Sequence, residues 1–312
     1  MSCSVGDIQL ASLHDGDLGR VRAMLNTIWA EAGWEELAPG VGRCRLPVWD
    51  CTVGLVVGEG AALMIDAGSS VREGVRLRTE AQGLLGGGRV THLALTHAHF
   101  DHVLGAAAFA GVEVFGAVGV DRVLVHDRDE LRADAVRNGA DPREAAEAAD
   151  LLVRPRHLVS GEWTLDLGGG RQVLLANVGP GHTPHDLAVL VPAGPSRHGS
   201  AGAPGSPVMP GSPVMPGRPG SPGRPGAAPS AEAPEAPEAS EAPEVVFCGD
   251  LVEESGEPQA GPDAVPSHWP AALDRLLALG GEDARYVPGH GAAVDAAFVR
   301  AQRDALARRF GV

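Results

Sequence analysis

Residues 95–102, Leu95-Thr96-His97-Ala98-His99-Phe100-Asp101-His102, place three histidines and one aspartate within six positions. An apolar run, residues 90–95, leads in, and a small-residue stretch, residues 103–109, leads out. Imidazole and carboxylate suit zinc, iron and manganese as ligands. Crowded this closely they repel one another or lose hydration unless a cation sits among them. The rest of the chain must therefore deliver a strand to this loop and supply further ligands and substrate walls.

Length and composition set the frame. A chain of 312 residues, 44% hydrophobic, can bury a sizeable core as one large domain or two small ones. Aromatic residues make up only 4%, with Tyr286 the one tyrosine, so the core must rest on Val, Leu and Ala. A net charge of −15 argues against a nucleic-acid partner, which needs a basic stripe. Cys3, Cys44, Cys51 and Cys248 are scattered, with no CxxC pair, which favours a reduced, cytoplasmic setting. No signal peptide is expected from the first residues, and no apolar stretch is long enough to span a membrane.

Taken in order, residues 17–32 carry helical periodicity, and residues 1–40 are read as an extension packing on the domain. Residues 43–66 read as β structure and residues 70–85 as a helix closed by three glycines. Residues 90–96 form a buried strand, and residues 112–115 a short one. Residues 129–152 look helical, with breaks at Asn138-Gly139 and Asp141-Pro142. Residues 163–167 and 172–176 form a hairpin, and residues 187–191 another strand. Residues 193–244 are Pro-, Gly-, Ser- and Glu-rich, with Gly-Ser-Pro-Val-Met-Pro twice. Such a segment buries too little apolar surface to offset its ordering entropy, and is expected to be a disordered insertion. A protein partner recruited through it is not expected. A strand ending at Asp250, a helix over 269–279, a short strand before His290 and a closing helix over 293–309 complete a single domain, residues 41–312.

Four places share one grammar, an apolar strand followed by a polar residue in a Gly-rich turn. They are the 97–102 cluster, His182, Asp250 and His290. Together they offer five histidines and two carboxylates, enough for two metal ions once water completes each set.

This ordered set resembles the metallo-β-lactamase superfamily, by motif its glyoxalase II-like subgroup. The HxHxDH signature is His97-Ala98-His99-Phe100-Asp101-His102, the Gly-His-Thr element is Gly181-His182-Thr183, and Gly249-Asp250 and Gly289-His290-Gly291 follow in order. Asp66-Ala67-Gly68 is similar to the family's early turn. The resemblance implies an α+β fold, a four-layer αββα sandwich of two mixed sheets with helices on the outer faces. It implies His97, His99 and His182 on one metal, Asp101, His102 and His290 on a second, and Asp250 between them. Two cations sharing a water lower its pKa toward neutrality and give hydroxide at pH 7, which Asp101 can orient or deprotonate. Asp66 is expected to serve through hydrogen bonds, and Thr183 to satisfy its own turn. His185 departs from the family pattern and is a candidate for substrate contact or the surface. Cys248 reads as a buried small hydrophobe.

The expected activity is hydrolysis of a small ester, thioester or lactone with two divalent ions, zinc first and iron or manganese as alternatives. The chain ends too soon after His290 for the helical domain with which glyoxalase II holds glutathione, so that substrate is not expected. A mononuclear iron enzyme similar to persulfide dioxygenases, and a non-catalytic metal-binding or interaction protein, are the competing readings.

Overall fold

Seven strands pair in sequential order to make the first sheet: β1 (Glu35–Ala38), β2 (Val41–Arg45), β3 (Thr52–Val57), β4 (Ala62–Ile65), β5 (His92–Ala94), β6 (Glu113–Ala117) and β7 (His157–Val159). The computed structural model that shows this describes residues 28–193 and 242–312. The first four strands are antiparallel, joined by short turns. From β4 to β7 the pairing becomes parallel, because helical crossovers replace hairpins. Those crossovers include α1 (Val71–Leu84), α2 (Phe100–Val103), α3 (Val120–His126), α4 (Arg128–Arg137) and α5 (Pro142–Asp150). Ser70 starts α1 by accepting the Glu73 amide at 3.2 Å, and Asp141 caps α5 ahead of Pro142 in its first turn.

The second sheet runs β12-β11-β10-β9-β8. Its strands are β8 (Glu162–Asp166), β9 (Gln172–Asn177), β10 (Leu187–Val191), β11 (Val245–Glu253) and β12 (Arg285–His290). Helix α6 (Trp269–Gly280) crosses between the parallel pair β11 and β12, and α7 (Ala296–Phe310) closes the chain.

Period-2 alternation in the second sheet divides the core in two. Val173, Leu175, Leu187, Val189, Val245, Phe247 and Val287 share one cluster with Val53, Leu63 and Ile65 of the first sheet. Their neighbours Ala176, Ala188, Leu190, Val246, Cys248 and Tyr286 pack instead with Trp269, Leu273 and Leu276 of α6 and Val299 of α7. On the other side, Leu77 and Ala81 of α1 join the first cluster, as do Leu131 of α4 and Ala148 of α5. Helices therefore cover both outer faces of a two-sheet α+β sandwich. Each fully buried Leu or Phe contributes about 1.5–3 kcal/mol of transfer free energy. Cys248 lies on the helix-facing side as a buried small hydrophobe, as its strand position suggested.

Two expectations shift. Strand β1 lies inside the segment read as an extension, and residues 28–31, the last turn of the expected N-terminal helix, place Trp29 against Trp34. Strand β11 does not stop at Asp250 but runs on to Glu253. The Pro-rich segment lies outside the described residues apart from its ends. Those ends belong to antiparallel neighbours, with Val191 opposite Val245.

Candidate metal centre

The carboxyl ends of parallel strands are where an α/β sheet leaves backbone free to present side chains. Asp66 follows β4, the 97–102 loop follows β5, and His290 ends β12. His182 comes from the loop between β9 and β10. Asp250 reaches the same edge differently, from within β11. A register shift between Phe247 and Gly249, with Gly249 at φ 53°, bulges the strand there.

All seven predicted side chains come together at this edge. Asp250 is at the centre, with His97 Nε2 3.6 Å, His182 Nε2 3.5 Å and His290 Nε2 3.2 Å from its Oδ2. Its Oδ1 lies 3.1 Å from His102 Nε2. Asp101 Oδ2 sits 3.4 Å from His290 Nε2 and 3.8 Å from His102 Nε2. Potential ligand atoms of His97, His99, His182 and Asp250 lie within 4.8 Å of one another, as do those of His102, Asp250 and His290. The two groups share Asp250.

Each imidazole is held by its outward nitrogen. His102 Nδ1 donates to Asp66 Oδ2 at 2.8 Å, His182 Nδ1 to the Gln259 carbonyl at 3.0 Å and His290 Nδ1 to the Trp49 carbonyl at 2.7 Å. His99 Nε2 donates to Asp263 Oδ2 at 3.1 Å. For His97 the neighbouring hydroxyl decides the tautomer. Thr96 Oγ1 gives its one proton to Asp66 Oδ2 at 2.8 Å, so it accepts from His97 Nδ1 at 3.0 Å. Every inward nitrogen is thereby left as a lone pair aimed at the centre. The hydrogen-bonding role expected for Asp66 is what the structure shows. It also accepts the Thr96 amide at 2.8 Å, from a backbone held at φ 59°.

Charge and hydrogen bonding show that these residues suit a cation. His97 Nε2 and Asp250 Oδ1 are buried without a hydrogen-bond partner, a state that costs about 1–3 kcal/mol per group unless something binds there. His99 Nδ1 faces His182 Nε2 at 2.9 Å, two lone pairs that need a proton or a metal ion between them. Burial holds His97 well below the ordinary histidine range, helped by the neighbouring His102, and depresses His182 to about 4. Burial would raise Asp250, but His102, His97 and His290 outweigh it and keep the carboxylate charged. Burial opposes charge on His102 and His290 as well, yet the surrounding acidic groups, Asp250 and Asp101 among them, raise His102 well above the ordinary histidine range and His290 to about 9, so without a cation those rings hold protons that a divalent metal would displace.

Cys51 is the neighbour that the sequence reading did not place. It sits at the entrance to β3, bridged to His290, with its thiol donating to the Asp101 carbonyl at 3.3 Å. Its sulfur is 3.7 Å from both His102 ring nitrogens, and Cys51, Asp101 and His102 form a further group whose potential ligand atoms lie within 4.8 Å of one another. Thr183 accepts the His185 amide and donates to Asp186, satisfying its turn as expected. His185 itself packs over Gly119 and lines a surface cavity with Arg122, His126 and Leu158, in which none of the seven cluster residues takes part. Asp263, Gln259 and the Trp49 carbonyl carry no motif, and only the fold reveals them.

Comparison with known proteins bears on the fold. The family model described as the metallo-beta-lactamase superfamily matches residues 46–195. Among solved structures, the fold is similar to that of the metallo-beta-lactamase FIM-1 from Pseudomonas aeruginosa in its mono-zinc form. The TM-score is 0.54 at 17% identity, over 89% of this chain and 96% of that one. No curated protein matches the sequence. The family match covers the HxHxDH and Gly-His-Thr segments, and the two-sheet sandwich around them has the metallo-β-lactamase fold.

Proposed function

We propose that the protein is a hydrolase of small esters, thioesters or lactones that works with two divalent metal ions, zinc foremost. His97, His99 and His182 would hold one ion, Asp101, His102 and His290 the other, and Asp250 would touch both. The observation that carries this reading is the placement of Asp250 between two groups of inward lone pairs, with its Oδ1 and His97 Nε2 buried and unpartnered. The similar fold of a mono-zinc metallo-β-lactamase supports zinc. Bound ions would supply Lewis acidity and a water acidified toward neutrality.

The chain's own residues supply the rest. Asp101 Oδ2 points between His102 and His290 and can take a proton from water there. Asp66 and Trp49 fix the His102 and His290 rings, so no reorientation accompanies the reaction. Among the described residues no arginine hydrogen-bonds to a cluster side chain, and the one charged group bonded from outside to the first subsite is the Asp263 carboxylate. Among the described residues no helix is long and apolar enough to cross a membrane.

The test is metal quantification of protein purified without added metal, with a screen of lactones, thioesters, β-lactams and phosphodiesters. Turnover of an ester, thioester or lactone that a chelator abolishes and zinc restores is the expected result. One bound iron with oxygen uptake would replace this reading with an oxygenase, and metal-free, inactive protein would leave a non-catalytic role.

A further inference from the structure

His99 is the most exposed imidazole of its group. Its side chain is 24% exposed, against 1% for His97 and 3% for His182. A ring open to solvent keeps its rotational freedom unless something tethers it, and an untethered ligand loses that freedom on binding. The tether comes from the segment between β11 and α6, residues 254–268. Asp263 Oδ2 accepts from His99 Nε2 at 3.1 Å, committing that nitrogen as the donor and leaving Nδ1 as the lone pair facing His182.

The same segment holds the His182 ring through the Gln259 carbonyl. It is itself pinned at both bonding points. The Gln259 amide donates to Glu253 Oε1 at 3.1 Å, and the Val265 amide to the Gly181 carbonyl at 2.9 Å, next to His182. One loop thus sets the tautomer of two of the three histidines in the first subsite. Neither Asp263 nor Gln259 bonds the His102 or His290 ring, whose outer partners are Asp66 and Trp49; the segment meets His290 only at its first residue, where the Glu254 amide donates to the His290 carbonyl at 2.9 Å.

We propose that Asp263 is a positioning residue that sets the affinity of the three-histidine subsite by orienting and polarising His99, with Gln259 doing the same for His182 through its backbone. The proposal rests on the reading of the cluster as a metal centre. A carboxylate behind a ligating imidazole fixes its orientation and raises its basicity, and losing such a partner weakens metal binding about 10–100-fold. Asp263→Ala should show a loss of that size at one of two zinc ions. Asp263→Asn keeps an acceptor oxygen but not the charge, and should fall between.

Zinc affinity is measured by equilibrium competition with a chromophoric chelator on the full-length protein. The His99 tautomer is read from nitrogen-15 imidazole spectra of the zinc-loaded protein. Weakening confined to one ion, with His99 losing its fixed Nε2-protonated form in Asp263→Ala, supports the proposal. Two ions bound at wild-type affinity by Asp263→Ala would overturn it while leaving the metal centre intact. Wild-type protein that binds no zinc would overturn both. If Asp263→Ala does not fold, Asp263→Asn decides: wild-type affinity in that variant counts against the charge.

Discussion

Asp250 occupies the centre of the cluster because Gly289, beside it on β12, has no side chain. A Cβ at Gly289 would overlap Asp250 Oδ1 and crowd the Gly249 backbone. The sheet pairs Gly249 with Pro288 at the bulge, so the parallel neighbour passes directly beneath the carboxylate. Gly289→Ala should therefore displace Asp250. Overpacking of this kind costs about 1–3 kcal/mol. Thermal denaturation should show a modest loss of stability, and metal analysis a disproportionate loss of bound zinc. A variant that binds zinc normally would show that Asp250 does not need this space.

Asp66 should matter for binding more than for the fold. Asparagine tolerates the positive φ found there, so the Asp66→Asn backbone need not change. The amide keeps one acceptor for the Thr96 amide but turns a donor toward Thr96 Oγ1 and His102 Nδ1. We expect zinc affinity at the His102 site to fall about 10–100-fold, measured by chelator competition, with the far-ultraviolet circular dichroism spectrum unchanged.

Asp101 is the residue whose loss should separate chemistry from structure. It is buried, yet its side chain makes no hydrogen bond within 3.5 Å to any helix or strand amide of the described residues. Asp101→Ala should lower kcat by about 10²–10⁴-fold on whichever substrate the screen identifies, while circular dichroism and melting temperature stay near wild type. An active Asp101→Ala enzyme would remove this residue from the chemistry.

The Pro-rich segment should be dispensable. Val191 pairs with Val245, so removing residues 194–241 leaves Pro192, Ala193, Ala242, Pro243 and Glu244 as a short hairpin connection. Loop length alone has a weak effect on stability, about 0.6 kcal/mol per doubling. The shortened protein should retain zinc, turnover and a melting temperature within a few degrees of full length, about what such a change amounts to. Loss of activity would assign the segment a role that its composition does not suggest.

Much of the site was legible in the residues alone. The 97–102 cluster and His182, Asp250 and His290 stand out because ligand chemistry restricts residue type, and strand-turn spacing repeats at each. Asp250 was placed after its strand, because an apolar run followed by Gly-Asp looks like a strand end. In the structure a bulge at Gly249 lets β11 continue to Glu253. Asp263 and the Trp49 and Gln259 carbonyls were not legible. An acidic residue in a loop has no periodicity to mark it, and a backbone carbonyl has no sequence signature at all.

The sequence by itself determined which atoms can bind metal and the alternation that makes two sheets with separate buried faces. Both follow from local rules, ligand chemistry and the period of side chains along a strand. Tertiary structure alone decided which nitrogen of each histidine faces inward. That choice is made by partners distant along the chain, such as Asp66 for His102 and Asp263 for His99. A ring's two nitrogens are chemically alike until the fold places an acceptor beside one of them.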